Sequence, residues 1–304
     1  MPAQRYGAIR VIGSREIYRL FLPCAPGLFS QEDFFLVPPK GLRSALSQQI
    51  GDYSVTILVN PDDYGSADIE AVSDQIWLWY LRPCAMEADS SFDSAGRLHD
   101  FEANELILRK EFALQVGLLP NRLTIVSDPK SFEVLVESGV PTIMSPPPVS
   151  SATNHLAVWR QAKGNFALLH HETTVANLYL EALEQAKTWD LAEALSPCKN
   201  EGMPRYLIVL PENSLPTFQY GIAIGAVHRY RVLGPVVKTS WGLEPGLDYL
   251  QFSSPEELSW MVKHTVRYPN STDLMASRMA SKAGTFEPTK VIQRILNTIT
   301  SASF

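Results

Sequence analysis

No apolar run in this 304-residue sequence reaches the roughly 18 residues that a membrane span requires. The N-terminal MPAQRYGAIRVIGSREIYR has neither a long apolar core nor a small-residue cleavage site. Neither a spanning helix nor a secretory leader is therefore expected, and the expected location is the cytoplasm. Cysteine is scarce: Cys24, Cys84 and Cys198 are odd in number, widely spaced and each preceded by proline. That pattern fits neither a disulfide framework nor a zinc motif, and no metal is expected. Positive charge is short as well, since the net charge is −6 at pH 7. A general nucleic-acid or membrane-surface binder needs a basic face, so both classes are disfavoured, whereas a local basic pocket for a phosphate stays open. The common catalytic signatures are missing too: there is no G-x-S-x-G, H-E-x-x-H, C-x-x-C, Walker loop or G-x-G-x-x-G. Internal repeats and low-complexity segments are absent.

What is present is a well-cored α/β pattern. Hydrophobic residues make up 45% and charged residues 19%, which supports a globular chain of roughly two domains. In the first half, Ile9–Ile12, Ile17–Leu22, Phe34–Val37, Tyr53–Val59, Ile76–Leu81, Leu123–Ser127 and Val140–Met144 read as strands. Leu42–Ile50, Ser66–Ser73, Phe101–Val116 and Ser131–Glu137 read as helices between them. Such alternation implies crossover connections and a mainly parallel, Rossmann-like sheet. Trp77, Trp79 and Tyr80 are read as core rather than as a stacking platform. The segment Ser145-Pro146-Pro147-Pro148-Val149-Ser150-Ser151 is the best linker, and the domain boundary is placed at residue 150.

The second half restarts the rhythm. Asn165–Leu169 and Tyr206–Leu210 read as strands, a helix follows Thr174, and Pro216–Leu233 reads as mostly helical although Gly221 and Gly225 weaken it. Next come a short strand, Pro235–Thr239, a loop punctuated by Gly242, Pro245 and Gly246, and a second strand, Leu247–Phe252. Ser254 then caps a helix with Pro255 first and Glu257 three residues on, the pattern of a capping box. Helices near 271–282 and 288–300 end the chain, the last with a stripe of Val291, Ile295 and Ile299.

Several residues carry candidate chemistry. His170, His171 and Glu172 lie between a strand and a helix, where a helix N-terminus offers N–H groups to a diphosphate. The plain alternative is a set of polar loop residues. Lys238, Gly242 and Glu244 line the glycine loop: the lysine would neutralise phosphate and the glutamate hold a sugar hydroxyl, or both are surface. Gly13 and Arg15 follow the first strand, where a glycine lets a backbone approach closely and an arginine meets an anion. An ordinary turn competes with that reading, because Glu16 offsets the charge. His99 and Asp100 are candidates for a base and its orienter, against a simple helix cap at Asp100.

The stretch Val232–Val266 resembles the C-terminal half of group 1-type glycosyltransferases of the GT-B fold, nearest the spore-maturation CgeB-like branch. The resemblance rests on Gly234, Val236, Val237, Gly242, Leu243, Pro245, Gly246, Asp248, Ser254, Glu256, Glu257 and Leu258, in that order. It implies two Rossmann-like domains facing across a cleft, with C-terminal helices packing back on the first domain. Residues 1–150 would hold the acceptor, 151–285 would bind a nucleotide-diphosphate sugar donor without a metal, and 286–304 would cross back to the first domain. The implied reaction is glycosyl transfer to an unknown acceptor; the partners would be donor and acceptor, with a homo-oligomer left open. One position departs from the family. Arg229 stands in the place of a glutamate that accepts hydrogen bonds from the donor's ribose hydroxyls, which a cation cannot do. It would pair with a diphosphate instead, or be an ordinary solvated basic residue. That departure favours the alternative of a non-catalytic GT-B-like binding or assembly protein. Another nucleotide-using α/β enzyme, such as an epimerase, is the third reading.

Overall fold

The computed structural model describes residues 8–13, 34–47, 53–71, 75–80, 108–127, 129–149, 162–163, 166–169, 174–187, 205–210, 215–235, 241–268 and 270–301. They fall into two compact units.

The first unit runs β1 (Ala8–Gly13), β2 (Phe34–Leu36), α1 (Leu42–Ser47), β3 (Tyr53–Val59), α2 (Ser66–Glu70), β4 (Ile76–Trp79), α3 (Leu108–Gly117), β5 (Arg122–Val126), α4 (Pro129–Glu137) and β6 (Thr142–Met144). Its strands form a parallel sheet in the order β2-β1-β3-β4-β5-β6. The chain steps one way from β1 to β2 and then returns to the other side of β1 for β3. The carboxyl ends of β1 and β3 therefore flank a topological switch point, the crevice where such sheets take ligands.

Both faces of this sheet are buried, and the two-residue period of a strand shows how. Ile57, Val59, Trp77, Trp79 and Ile125 point to one face, and Leu58, Ile76, Leu78, Tyr80 and Val126 to the other. The second set is covered by Leu42, Ile69, Ala113, Val116 and Leu135 from α1 to α4. The first set is covered by the last helix of the chain, Pro288–Ser301, through Val291, Ile292, Ile295 and Leu296. The tryptophans read as core are core: Trp77 and Trp79 are 3% and 0% exposed.

The second unit runs β7 (Ala162–Lys163), β8 (Phe166–Leu169), α5 (Thr174–Gln185), β9 (Tyr206–Val209), α6 (Leu215–Val227), β10 (Arg231–Pro235), β11 (Leu250–Phe252), α7 (Pro255–Arg267) and α8 (Asp273–Ser281); the last helix, of the first unit, is α9. The sheet order is β11-β10-β9-β8-β7, with β8 to β11 parallel and β7 antiparallel to β8. Helix α7 packs on α5, and α6 lies against β9, β10 and α8.

Three sequence expectations change here. The stretch read as one helix to Leu233 is divided: α6 stops at Val227 and Arg231–Pro235 is strand. The stop is a left-handed residue, Arg229 at φ +60°, with the Tyr230 N–H donating to Gly225 and the Arg229 N–H to Ala226. That is the Schellman arrangement, usually built on glycine, and α4 ends the same way at Gly139. The strand read over Pro235–Thr239 begins four residues earlier, and residues 236–240 lie outside the described set. The strand read from Leu247 starts at Leu250, because Leu247 and Asp248 donate their N–H groups back to Glu244 in a turn. The cap of α7 holds with one difference. Ser254 Oγ accepts from the Glu257 N–H at 3.2 Å, but the Glu257 carboxylate accepts from the N–H and hydroxyl of Ser253 at 2.7 and 2.8 Å, not from Ser254.

Candidate functional site

The glycine loop, residues 241–249, leaves β10 from its carboxyl end and returns to β11. Its inner side chains are Leu243, Asp248 and Tyr249, each nearly fully buried. Its outer side carries Gly242, Glu244, Gly246 and Leu247. Three residues take positive φ: Trp241 at 53°, Gly242 at 84° and Gly246 at 78°. Open space surrounds the position of a Cβ at both glycines, so their requirement is backbone angle rather than room. A tryptophan in the left-handed region is a costly choice for a bulky side chain. The Tyr249 hydroxyl donates to the Pro235 carbonyl at 3.3 Å, tying the end of the loop to the end of β10.

Asp248 is the fastening point. Its carboxylate, fully buried, accepts from the Glu244 N–H at 2.7 Å, from Lys282 Nζ at 2.5 Å and from Arg278 Nε at 3.2 Å. Lys282 Nζ also donates to the Gly242 carbonyl, so one ammonium closes the loop from its first glycine to its last carboxylate. Burial works against ionising Asp248, yet the hydrogen bonds from Lys282 and the Glu244 N–H, with the Lys282 charge and the Arg278 bond, outweigh it and hold the carboxyl below the usual range. The sign follows from linkage. A folded-state value lowered below the unfolded one contributes stability that is present above the unfolded value, near 3.9. That stability fades as pH falls through the lowered folded value. Urea midpoints should therefore fall on acidification below about pH 4 more steeply in the wild type than in Asp248→Asn. Parallel slopes for the two proteins would show that Asp248 does not titrate with folding.

Helix α8 places these cations. At its start Asp273 pairs with Arg231, the first residue of β10; just past its end Lys282 reaches the loop. Asp273 to Lys282 spans about 14 Å of helix, close to the roughly 13 Å from Arg231 to Pro235 along the strand. Arg229, two residues before β10, thus lies beyond the amino end of that strand, away from the loop. The structure does not bring Arg229 together with Gly242 and Glu244; it is a helix stop.

Gly242 and Glu244 share the loop. Gly13 closes β1 at the switch point of the first sheet, where its carbonyl accepts from the Val37 N–H at 3.1 Å. His99, Asp100, Arg15, His170, His171, Glu172 and Lys238 lie outside the described residues. Sequence reasoning missed Lys282 and Arg278, because they lie 34 and 30 residues from Asp248. The one available signal was Asp248 itself, a carboxylate between Leu247 and Tyr249 in the sequence. Among the described residues, no three His, Cys, Asp or Glu side chains gather as a metal site, and no helix is long and apolar enough to cross a membrane.

Two parallel sheets with these connections, the last helix returning to the first, match solved structures throughout. The HepE protein of Anabaena, in complex with UDP and glucose, is similar over 97% of this chain and 100% of its own, with a TM-score of 0.61 at 9% identity. The chain has the GT-B fold. Sucrose-phosphate synthase from Thermosynechococcus elongatus is similar over 88% of this chain and 79% of its own, with a TM-score of 0.51 at 11% identity. TarM is similar over 84% of this chain at a TM-score of 0.53 and 10% identity, and this chain spans 57% of TarM's length. No family model matches the sequence, and no curated protein matches it.

Proposed function

We propose that this GT-B protein transfers a glycosyl group from a nucleotide-diphosphate sugar to an acceptor, without a metal ion. The observation that carries the reading is the fastened glycine loop at the end of β10, in a fold whose solved examples include HepE in complex with UDP-glucose. The second unit takes the donor. Gly242 and Glu244 contact it, and the amino ends of helices that follow the parallel strands offer N–H groups to its diphosphate. His170, His171 and Lys238 complete the anion site in this reading. The acceptor binds at the first unit, near Gly13 and Arg15, and His99 with Asp100 supplies the base. The CgeB-like branch remains the proposed affiliation within the fold, and the cytoplasm the proposed location.

Isothermal titration against UDP-, GDP- and TDP-sugars tests the donor. One nucleotide class should bind with a Kd on the order of micromolar to millimolar. A folded protein that binds none of them defeats the proposal. Incubation with a radiolabelled donor then separates enzyme from binding module. Release or transfer of labelled sugar is expected, whereas tight binding with neither would favour the non-catalytic alternative.

A further inference from the structure

Two hydrogen-bond donors of the loop have no partner among the described residues. The Trp241 indole Nε1 is buried and has no partner. The Leu243 N–H also has none among the described residues, although Leu243 is only 2% exposed. Buried N–H groups are almost always paired, so two within three residues point to an acceptor supplied from outside the chain. Donors without acceptors suit oxygen-rich ligands: phosphoryl groups or sugar hydroxyls.

The neighbouring bonds explain why the Leu243 N–H stays unpaired. In a trans peptide the C=O and the following N–H point in opposite directions. Lys282 Nζ holds the Gly242 carbonyl, so the Leu243 N–H is turned to the other side of that peptide plane. The same ammonium is held by Asp248 Oδ2, which is fixed in turn by the Glu244 N–H and braced through Oδ1 by Arg278. Trp241 and Gly242 occupy a left-handed conformation that a free chain would leave, and the clamp closes behind them.

We infer that Lys282, held by Asp248, is a positioning residue: it sets the Gly242–Leu243 peptide so that the Leu243 N–H and the Trp241 indole N–H are presented to an oxygen-rich ligand. The inference rests on the donor reading above and adds the group that keeps the loop in its binding shape. Lys282 touches no ligand itself, so its removal costs affinity through the loop.

The test uses the full chain and UDP-glucose, or whichever nucleotide sugar binds the wild type. Lys282→Met should weaken the Kd about tenfold or more, and Lys282→Arg, which keeps the charge and donors, should stay within about threefold. Asp248→Asn should weaken it similarly, and the double variant Asp248→Asn/Lys282→Met no further than either single one, because the two residues act as a unit. Hydrogen exchange in the unliganded protein, at the N–H groups of Gly246, Leu247 and Asp248, should quicken in Lys282→Met while exchange in β9 and β10 is unchanged. This separates a loosened loop from a loosened fold. A wild type that binds donor, with Lys282→Met binding it equally, overturns the inference and leaves the proposed function standing. Additive losses in the double variant overturn it also. A wild type that binds no nucleotide sugar overturns both.

Discussion

Ending the chain at Glu287 is expected to cost the first unit its native packing. Helix α9 contributes Val291, Ile292, Ile295 and Leu296, all at most 3% exposed, to one face of the six-stranded sheet. Burying side chains of this kind is worth about 1.5–3 kcal/mol each, so the helix supplies on the order of 6–12 kcal/mol. Whole domains are stable by about 5–15 kcal/mol. The loss also exposes Trp77 and Trp79. Near-ultraviolet circular dichroism from buried tryptophan should fall sharply, and the truncated protein should bind a hydrophobic dye. The single substitution Ile295→Asp should give a milder version, since it places a charge in an apolar core cluster whose members are all hydrophobic. A truncated protein with the wild-type melting temperature would show that α9 does not hold this face.

The second large effect lies at Gly225. A Cβ there would come within 2.1 Å of Val232 Cγ2, closer than any real contact. Val232 is buried in β10 and, being β-branched, has little rotamer freedom with which to yield. Alanine normally gains about 1 kcal/mol over glycine inside a helix. At this position the overpacking, about 1–3 kcal/mol for alanine and more for valine, outweighs that gain because α6 must lift off the sheet. Gly225→Ala should lower the melting temperature by several degrees and Gly225→Val by more, both monitored by thermal denaturation. Adding Val232→Ala removes the clashing methyls and should return part of the loss to Gly225→Ala. If Gly225→Ala melts above the wild type, the helix–strand contact is looser than it stands in the structure.

These two positions show how unevenly the sequence speaks. The stripe on α9 was visible at helical spacing, and the strands of the first unit were visible as runs such as YSVTILV and IWLW. Gly225 was visible only as a flaw in a helix. Its value is the close approach of α6 to Val232, a contact seven residues away along the chain that exists only once the helix has turned back onto β10. The same turn displaced Arg229. Read along a helix, it took the place of a ligand-binding residue; in three dimensions it is the left-handed stop that lets β10 begin. Gly242 and Glu244 were legible as a loop because glycine and proline mark turns locally. Their fastening was not legible, because a lysine and an arginine look the same in sequence whether they face water or a buried carboxylate.

Local chemistry alone determined the alternation of strands and helices, the Ser254 cap and the place of the glycine loop. Each depends on residues within one or two turns of each other, where periodicity and backbone preference act. Tertiary structure decided that Asp248, Lys282 and Arg278 form one cluster and that Arg229 ends a helix away from it. The return of α9 to the first sheet was implied by the family resemblance and is what the structure shows, but which residues of that sheet it covers only the packing decided. Those outcomes depend on which distant surfaces exclude water together, and no short window of sequence records that.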